Sequence, residues 1–249
     1  MCTASWITGP PGFELFFNRD EQRSRPGGHA PEVHTESGVE VVFPLDGQEL
    51  GTWIAANEFG LVLCILNLYE ADYAPATPRS RGLLVRELAI HGTAAQALAV
   101  LRGDDLAAYR GFTLAVFEVD ATGALAAGHA ARWDGVALGV TDGADVRPPF
   151  VSSGFDLPRV REQRLATWHA TVGDASAPTA AELERYHASR LPEPGAYAVS
   201  MSRDDACTVS HTRVRVTGDH VSMHYLDGAP ADGGAFATVV LPRRSASAR

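Results

Sequence analysis

The stretch MCTASWITGPPGFELFFNRDE, residues 1–21, decides the fold. Ala4–Ile7 and Phe13–Phe17 are apolar runs parted by Gly9-Pro10-Pro11-Gly12, a pattern that predicts a β-hairpin. Cys2 stands at its head. Removal of Met1, which the small Cys side chain permits, would give one residue both a thiol and an α-amine. With an unperturbed pKa of roughly 7.7–8.0, that amine can act as a base for its own nucleophile.

Outward from the hairpin, Arg23–Val33 with its Pro and Gly predicts a loop, and Val39–Phe43 a strand before a turn at Asp46-Gly47. Trp53–Ala56 and Leu61–Leu66 predict strands around Asn57–Gly60, and Tyr69–Pro78 a loop. Ser80 and Thr93 are N-cap candidates for helices through Ala89 and over Ala94–Leu101. Phe112–Val119, Leu125–Trp133 and Val136–Val140 predict strands. Val160–Val172 and Ala180–Arg190 predict helices, the second capped by Thr179. Tyr197–Met201, Thr208–Val216, His220–Leu226 and Phe236–Leu241 predict strands, and Arg243–Arg249 a frayed tail. Strands at both ends with helices between them imply one α+β domain over 1–249 with mostly antiparallel sheets.

Composition narrows the function. With 45% hydrophobic and 20% charged residues the chain can bury a full core. A net charge of −9 disfavours nucleic acid and anionic membrane as partners. All 21 basic residues are Arg, which points to GC-rich bacterial coding and removes Lys as a catalytic base. Three cysteines, Cys2, Cys64 and Cys207, form neither a disulfide framework nor a C-x-x-C metal motif. The longest apolar run, near Leu61–Leu68, is too short to insert in a bilayer. No basic region precedes an apolar stretch at the N-terminus, so a cytoplasmic protein without a signal peptide is expected.

Met1-Cys2, Asn18-Arg19-Asp20-Glu21, Arg25-Pro26, Gly51-Thr52-Trp53, Asn67 and Ser80-Arg81-Gly82 together resemble the NRDE family of transport and Golgi organization protein 2. The same segment, with Asn57-Glu58-Phe59-Gly60-Leu61, resembles the cysteine N-terminal-nucleophile hydrolases, among them bile-salt hydrolases and penicillin V acylases. That resemblance implies a four-layer αββα sandwich with Cys2 opening an inner strand. It also implies a non-peptide amide as substrate, cleaved through a Cys2 thioester without metal or organic cofactor. Arg19 would sit beside the thiol and lower its pKa. Asp20 would orient the amine, and Asn67 would donate to the oxyanion. Asn18, Glu21, Trp53, Arg81 and Ser153 are expected along a small-molecule substrate.

Gln22 stands where the bile-salt type has an orienting Asp. Ser152-Ser153 replaces a Ser-Asn pair, removing a second Asn donor, and Arg213 is the only counterpart of the acylases' late Arg. Structural readings compete at several positions. Arg19 and Asp20 could form a salt bridge, Asn67 could cap a turn, and Trp53 could be core. Arg25 and Arg81 could make structural pairs. His220 and His224 share one strand face and suit a solvent-facing pair. The functional alternative is a non-catalytic carrier or chaperone of a small hydrophobic ligand of haem, lipid or acyl-CoA type.

Overall fold

A computed structural model describes residues 1–9, 12–71, 73–173 and 178–244. Strand β1 (Cys2–Ile7) pairs antiparallel with β2 (Phe13–Gln22), Cys2 lying opposite Arg19 and Ile7 opposite Glu14. Pro10 and Pro11 of the intervening turn lie outside the described residues. Side chains alternate across the pair. Cys2, Ala4, Trp6, Phe13, Leu15 and Phe17 join one core cluster, whereas Phe16 joins another on the opposite face.

The other strands are β3 (His29–Glu36), β4 (Val39–Leu45), β5 (Ile54–Asn57), β6 (Leu61–Asn67), β7 (Phe112–Val119), β8 (Leu125–Trp133), β9 (Leu138–Asp142), β10 (Phe150–Ser152), β11 (Ala206–Val216), β12 (His220–Asp227) and β13 (Ala237–Pro242). Six form a sheet in the order β10-β1-β2-β11-β12-β13 and seven a sheet in the order β3-β4-β5-β6-β7-β8-β9, every pairing antiparallel. The sheets meet through Trp6, Phe13 and Phe17 of one and Ile54, Val62, Cys64 and Phe117 of the other, with the Trp6 and Phe117 rings 4.9 Å apart. Helices α1 (Arg81–Ala89) and α2 (Ala94–Gly103) cover the outer face of the seven-stranded sheet. Helices α3 (Leu157–Val172) and α4 (Ala180–His187) cover that of the six-stranded sheet. The result is the αββα sandwich. No helix among the described residues is long and apolar enough to cross a membrane.

Local chemistry sets the helix starts. The Thr93 hydroxyl accepts the Gln96 N–H, and Thr179 with Glu182 closes a reciprocal capping box. Ser80 occupies its N-cap position without a side-chain bond. Three expectations are corrected. His29–Glu36 is a strand, not a loop: it is a polar sheet edge containing Pro31, which hides the strand pattern. Tyr197–Met201 is irregular; Val199 is buried against Trp168 and Leu183 instead of pairing in a ladder. The tail does not fray at Arg243. Its guanidinium donates to the carbonyls of Asp120, Thr217, Phe59 and Val119 at 2.6–2.8 Å, and Arg244 meets the buried Glu58 carboxylate at 3.3 Å. Residues 245–249 lie outside the described residues.

A polar layer lies between the six-stranded sheet and α3/α4. Arg164 of α3, wholly buried, donates to the Thr3 hydroxyl at 2.5 Å and to the Asp20 carboxylate at 3.1 Å. The other Asp20 oxygen accepts from Thr208 at 2.6 Å. Further along, Asn18 Nδ2 donates to the carbonyls of His187 and Val199. Its Oδ1 therefore accepts from both His187 Nδ1, at 3.0 Å, and His211 Nδ1, at 2.7 Å. His187 Nε2 is then left to accept from the Ser5 hydroxyl at 2.8 Å. Both imidazoles are held neutral. Burial, the cost of a second positive ring beside His211 and the Arg164 charge push His187 well down, while burial and Arg213 push His211 to about 3.

Two outcomes are expected. Arg164→Ala leaves the Asp20 carboxylate buried and unpaired, and should lower the unfolding free energy measured in urea by about 3–5 kcal/mol. The histidines impose an acid dependence. Below the ordinary imidazole value of 6.5, the unfolded chain binds protons that the folded chain refuses, so stability falls as pH drops from 6.5 towards about 3. Urea midpoints at pH 7 and pH 4.5 should differ less in His211→Gln than in the native chain; an equal difference would refute the assignment.

Candidate active site

Register places the site. Met1 N donates to the Asp20 carbonyl at 3.1 Å, and Asp20 N–H donates back to the Met1 carbonyl at 3.0 Å. Hydrogen-bonded pairs alternate along an antiparallel ladder, so Cys2, one residue on, turns its N–H away from β2 towards its β10 partner Ser152. Its side chain lies between the sheets, where a cavity of about 700 Å³ opens, lined by Cys2, Arg19, Glu21, Trp53, Asn67 and Arg81 among others. Another hollow of about 480 Å³, bordered by Phe59, His91 and Gln96, contains neither cysteine nor arginine.

Arg19 shares the cavity with Cys2. Its guanidinium lies 4.3 Å over the Trp53 ring and 2.6 Å from Asp46, with Glu21 at 3.5 Å. Arg25 grips the same Asp46 through two nitrogens at 3.1 and 2.9 Å. Burial works to raise the Asp46 pKa. The bonds from Arg25 and the Glu49 N–H, with the Arg19 charge, outweigh it and hold the carboxylate below its usual range. Asp46, expected only as a turn residue, is the carboxylate that Arg19 meets. Gln22 lines the cavity rim instead of orienting Arg19.

Asn67 Nδ2 donates to the Tyr69 hydroxyl at 2.9 Å, and that hydroxyl also lies 3.4 Å from Met1 N. Tyr69 thus links the oxyanion candidate to the N-terminus, a link the polar loop around it concealed. Burial, reinforced by the Asp20 charge, pushes the Cys2 thiol up, against the pull of the terminal ammonium and Arg19. Burial also disfavours the Met1 ammonium, but Cys2, Tyr69 and Asp20 together raise it above the ordinary amine value. Cys64 is core, its thiol raised by burial.

Three residues stand elsewhere than expected. The Asp20 carboxylate is turned to Arg164 in the helix-facing layer, and it is the Asp20 main chain that meets Met1. Asn18, fully buried, serves the histidine network of that layer and does not line the cavity. Ser153 Oγ bonds the backbone of Phe155 and touches Met1 Sδ, outside the cavity lining. Parity explains the first two: Thr3, Asn18 and Asp20 alternate with Cys2 and Arg19. Arg213 binds Glu14 and Glu184 on the same helix-facing side. Among the described residues no cluster of His, Cys, Asp or Glu is arranged to hold a metal.

Two motif segments fuse beside the cavity. A Cβ on Gly51 would lie 2.5 Å from the Gly82 carbonyl carbon, and Thr52 N–H donates to the Gly82 carbonyl at 3.0 Å. Only glycines allow this contact, which joins the turn carrying Trp53 to the start of α1 carrying Arg81.

No curated protein matches the chain in sequence. Among solved structures it resembles a Caenorhabditis elegans ortholog of N-acylethanolamine-hydrolyzing acid amidase, with a TM-score of 0.56 and 13% identity over 97% of this chain and 100% of that one. It also resembles the C2A mutant of conjugated bile acid hydrolase from Clostridium perfringens, with a TM-score of 0.52 and 11% identity over 98% and 97%. Likeness at that identity establishes the shared N-terminal-nucleophile hydrolase fold. A family model, Transport and Golgi organisation 2, matches residues 1–133, which span every motif at the cavity, and the chain belongs to that family.

Proposed function

We propose that this protein is an N-terminal-nucleophile hydrolase that cleaves a non-peptide amide of a small molecule in the cytoplasm. The observation that carries the reading is the convergence of Cys2, Arg19 and Asn67 on one cavity. Its fold is that of an amidase and of a bile acid hydrolase, and in the latter position 2 is also the cysteine replaced in the C2A mutant.

In this reading Met1 is removed and Cys2 begins the chain. The Cys2 amine takes the thiol proton, Sγ bonds to the amide carbon, and the carbonyl electron pair moves to oxygen. Asn67 Nδ2 exchanges the Tyr69 hydroxyl for that oxyanion. Loss of Met1 also frees Asp20 N–H, which now donates to the Met1 carbonyl, as a backbone donor beside the thiol. Collapse breaks the C–N bond, and the departing amine takes the proton from the Cys2 ammonium. Water then adds to the thioester, releasing the acid and restoring the thiol. Arg19 favours the thiolate, held in place by Asp46 and Trp53.

A second reading, a carrier that binds a small hydrophobic ligand without turnover, draws on the burial that keeps the Cys2 thiol protonated. Intact mass and alkylation separate the two. The hydrolase should lack Met1, and iodoacetamide should modify Cys2 faster than Cys64 or Cys207. On a panel of N-acyl amides Cys2→Ala should abolish turnover, and Asn67→Ala should lower kcat by about 10²–10³-fold. Met1 retained, with Cys2 no more reactive than Cys207, would overturn the hydrolase reading in favour of the carrier.

A further inference from the structure

The charges on the cavity wall are unevenly matched. Arg19 and Arg25 are met by Asp46 and Glu21, Arg79 by Glu87 and Asp104, and Asp20 by Arg164. Arg81 and Arg110 also line the cavity, yet among the described residues neither has a carboxylate partner in an ion pair. Among the described residues, the one lining carboxylate without an ion pair is Glu49, which accepts from Gln48 Nε2 and whose N–H donates to Asp46.

Arg81 is held in place by a bond from Nη1 to the Gly111 carbonyl at 2.7 Å. Gly111 follows Arg110 in sequence, so this bond fixes the Arg81 guanidinium next to the segment that carries the second one. The Gly51–Gly82 contact fixes the other end, since Arg81 precedes Gly82. Burial and the Arg110 charge disfavour the Arg81 cation; Tyr69, Cys2 and, from a distance beyond an ion pair, Glu21 favour it, which places Arg81 within electrostatic reach of the nucleophile. Two neighbouring guanidiniums on the wall of a protein of net charge −9 form a local inversion of sign. Nη2 and Nε of Arg81 remain as a planar donor edge that matches the oxygens of a carboxylate or phosphate.

We propose that Arg81 and Arg110 form an anion-recognition subsite of the Cys2 cavity, so that the molecule bound there carries a carboxylate or phosphate group. This deepens the hydrolase reading by naming a substrate class: an amide that also carries an acidic group, seated beside Arg81 and Arg110. The same subsite would serve a carrier, so the inference is testable without turnover.

Isothermal titration of the full chain with butyrate and with inorganic phosphate, at constant ionic strength in chloride, tests it. At least one anion should bind, and the stronger of the two identifies the group. Arg81→Gln and Arg110→Gln should each weaken that binding by about tenfold or more, as expected for loss of charged hydrogen bonds. Arg102→Gln, which removes one exposed charge from α2, should not. Arg110 is exposed, so its variant decides the matter should Arg81→Gln fail to fold. Absence of binding by both anions, or equal weakening by Arg102→Gln and Arg110→Gln, would overturn the proposal. Anion binding by the native chain without turnover of any N-acyl amide would refute the hydrolase reading and leave the subsite standing.

Discussion

Everything at the cavity depends on the register of the first two strands. With Cys2 opposite Arg19, both side chains enter the space between the sheets, and Thr3 and Asp20 face the helices. A slip of one residue would reverse every side chain, sending the thiol into the helix layer and Thr3 into the cleft. The opposite face makes that slip costly. Arg164 is buried with donors committed to Thr3 and Asp20, and a shifted strand would strand its charge. One ladder therefore carries reactive groups on one side and the lock that fixes their position on the other.

The electrostatic organisation of the site follows from Asp46, a nearly buried carboxylate shared by two guanidiniums. It draws Arg19 over Trp53 and brings the Arg25-Pro26 segment against the turn after β4. The Asn-Arg-Asp-Glu motif is thus divided by parity. Arg19 and Glu21 belong to the cavity, Asn18 and Asp20 to the interior of the helix-facing layer.

The sequence carries clear signals wherever structure is local. Apolar alternation marks most strands, and Thr93 and Thr179 mark helix starts because a cap acts within three residues. It carries weak signals for β3, a polar edge that buries little, and for the buried but unpaired segment near Val199. The motif residues Cys2, Arg19 and Asn67 stand out by residue type and order. Asp46, Tyr69, Arg110 and Arg164 do not, because each acquires its place only through partners brought close by the fold. Arg164 and Asp20 are 144 positions apart. The division of Asn18-Arg19-Asp20-Glu21 between two faces follows from strand alternation, because β2 continues past the apolar run at Phe17 to Gln22.

Arg243 bears on how this molecule can deform. Its four carbonyl partners lie at the last residue of β7 and in the β5–β6, β7–β8 and β11–β12 turns, which connect strands of both sheets. Those turns gather at the end of the sandwich near the β1–β2 turn, where Gly12 packs on the Val216 carbonyl, and Cys2 lies at the other end of β1. The two sheets are therefore stapled at the end remote from the cavity. At the cavity end the tie is of another kind: Arg19 of β2 meets the carboxylate of Asp46 after β4 at 2.6 Å, so a side-chain ion pair, not a cluster of backbone carbonyls, joins the sheets there. A ligand that competed for the Arg19 guanidinium would therefore loosen the sheets at the cavity while Arg243 and Arg244 hold them together at the far end.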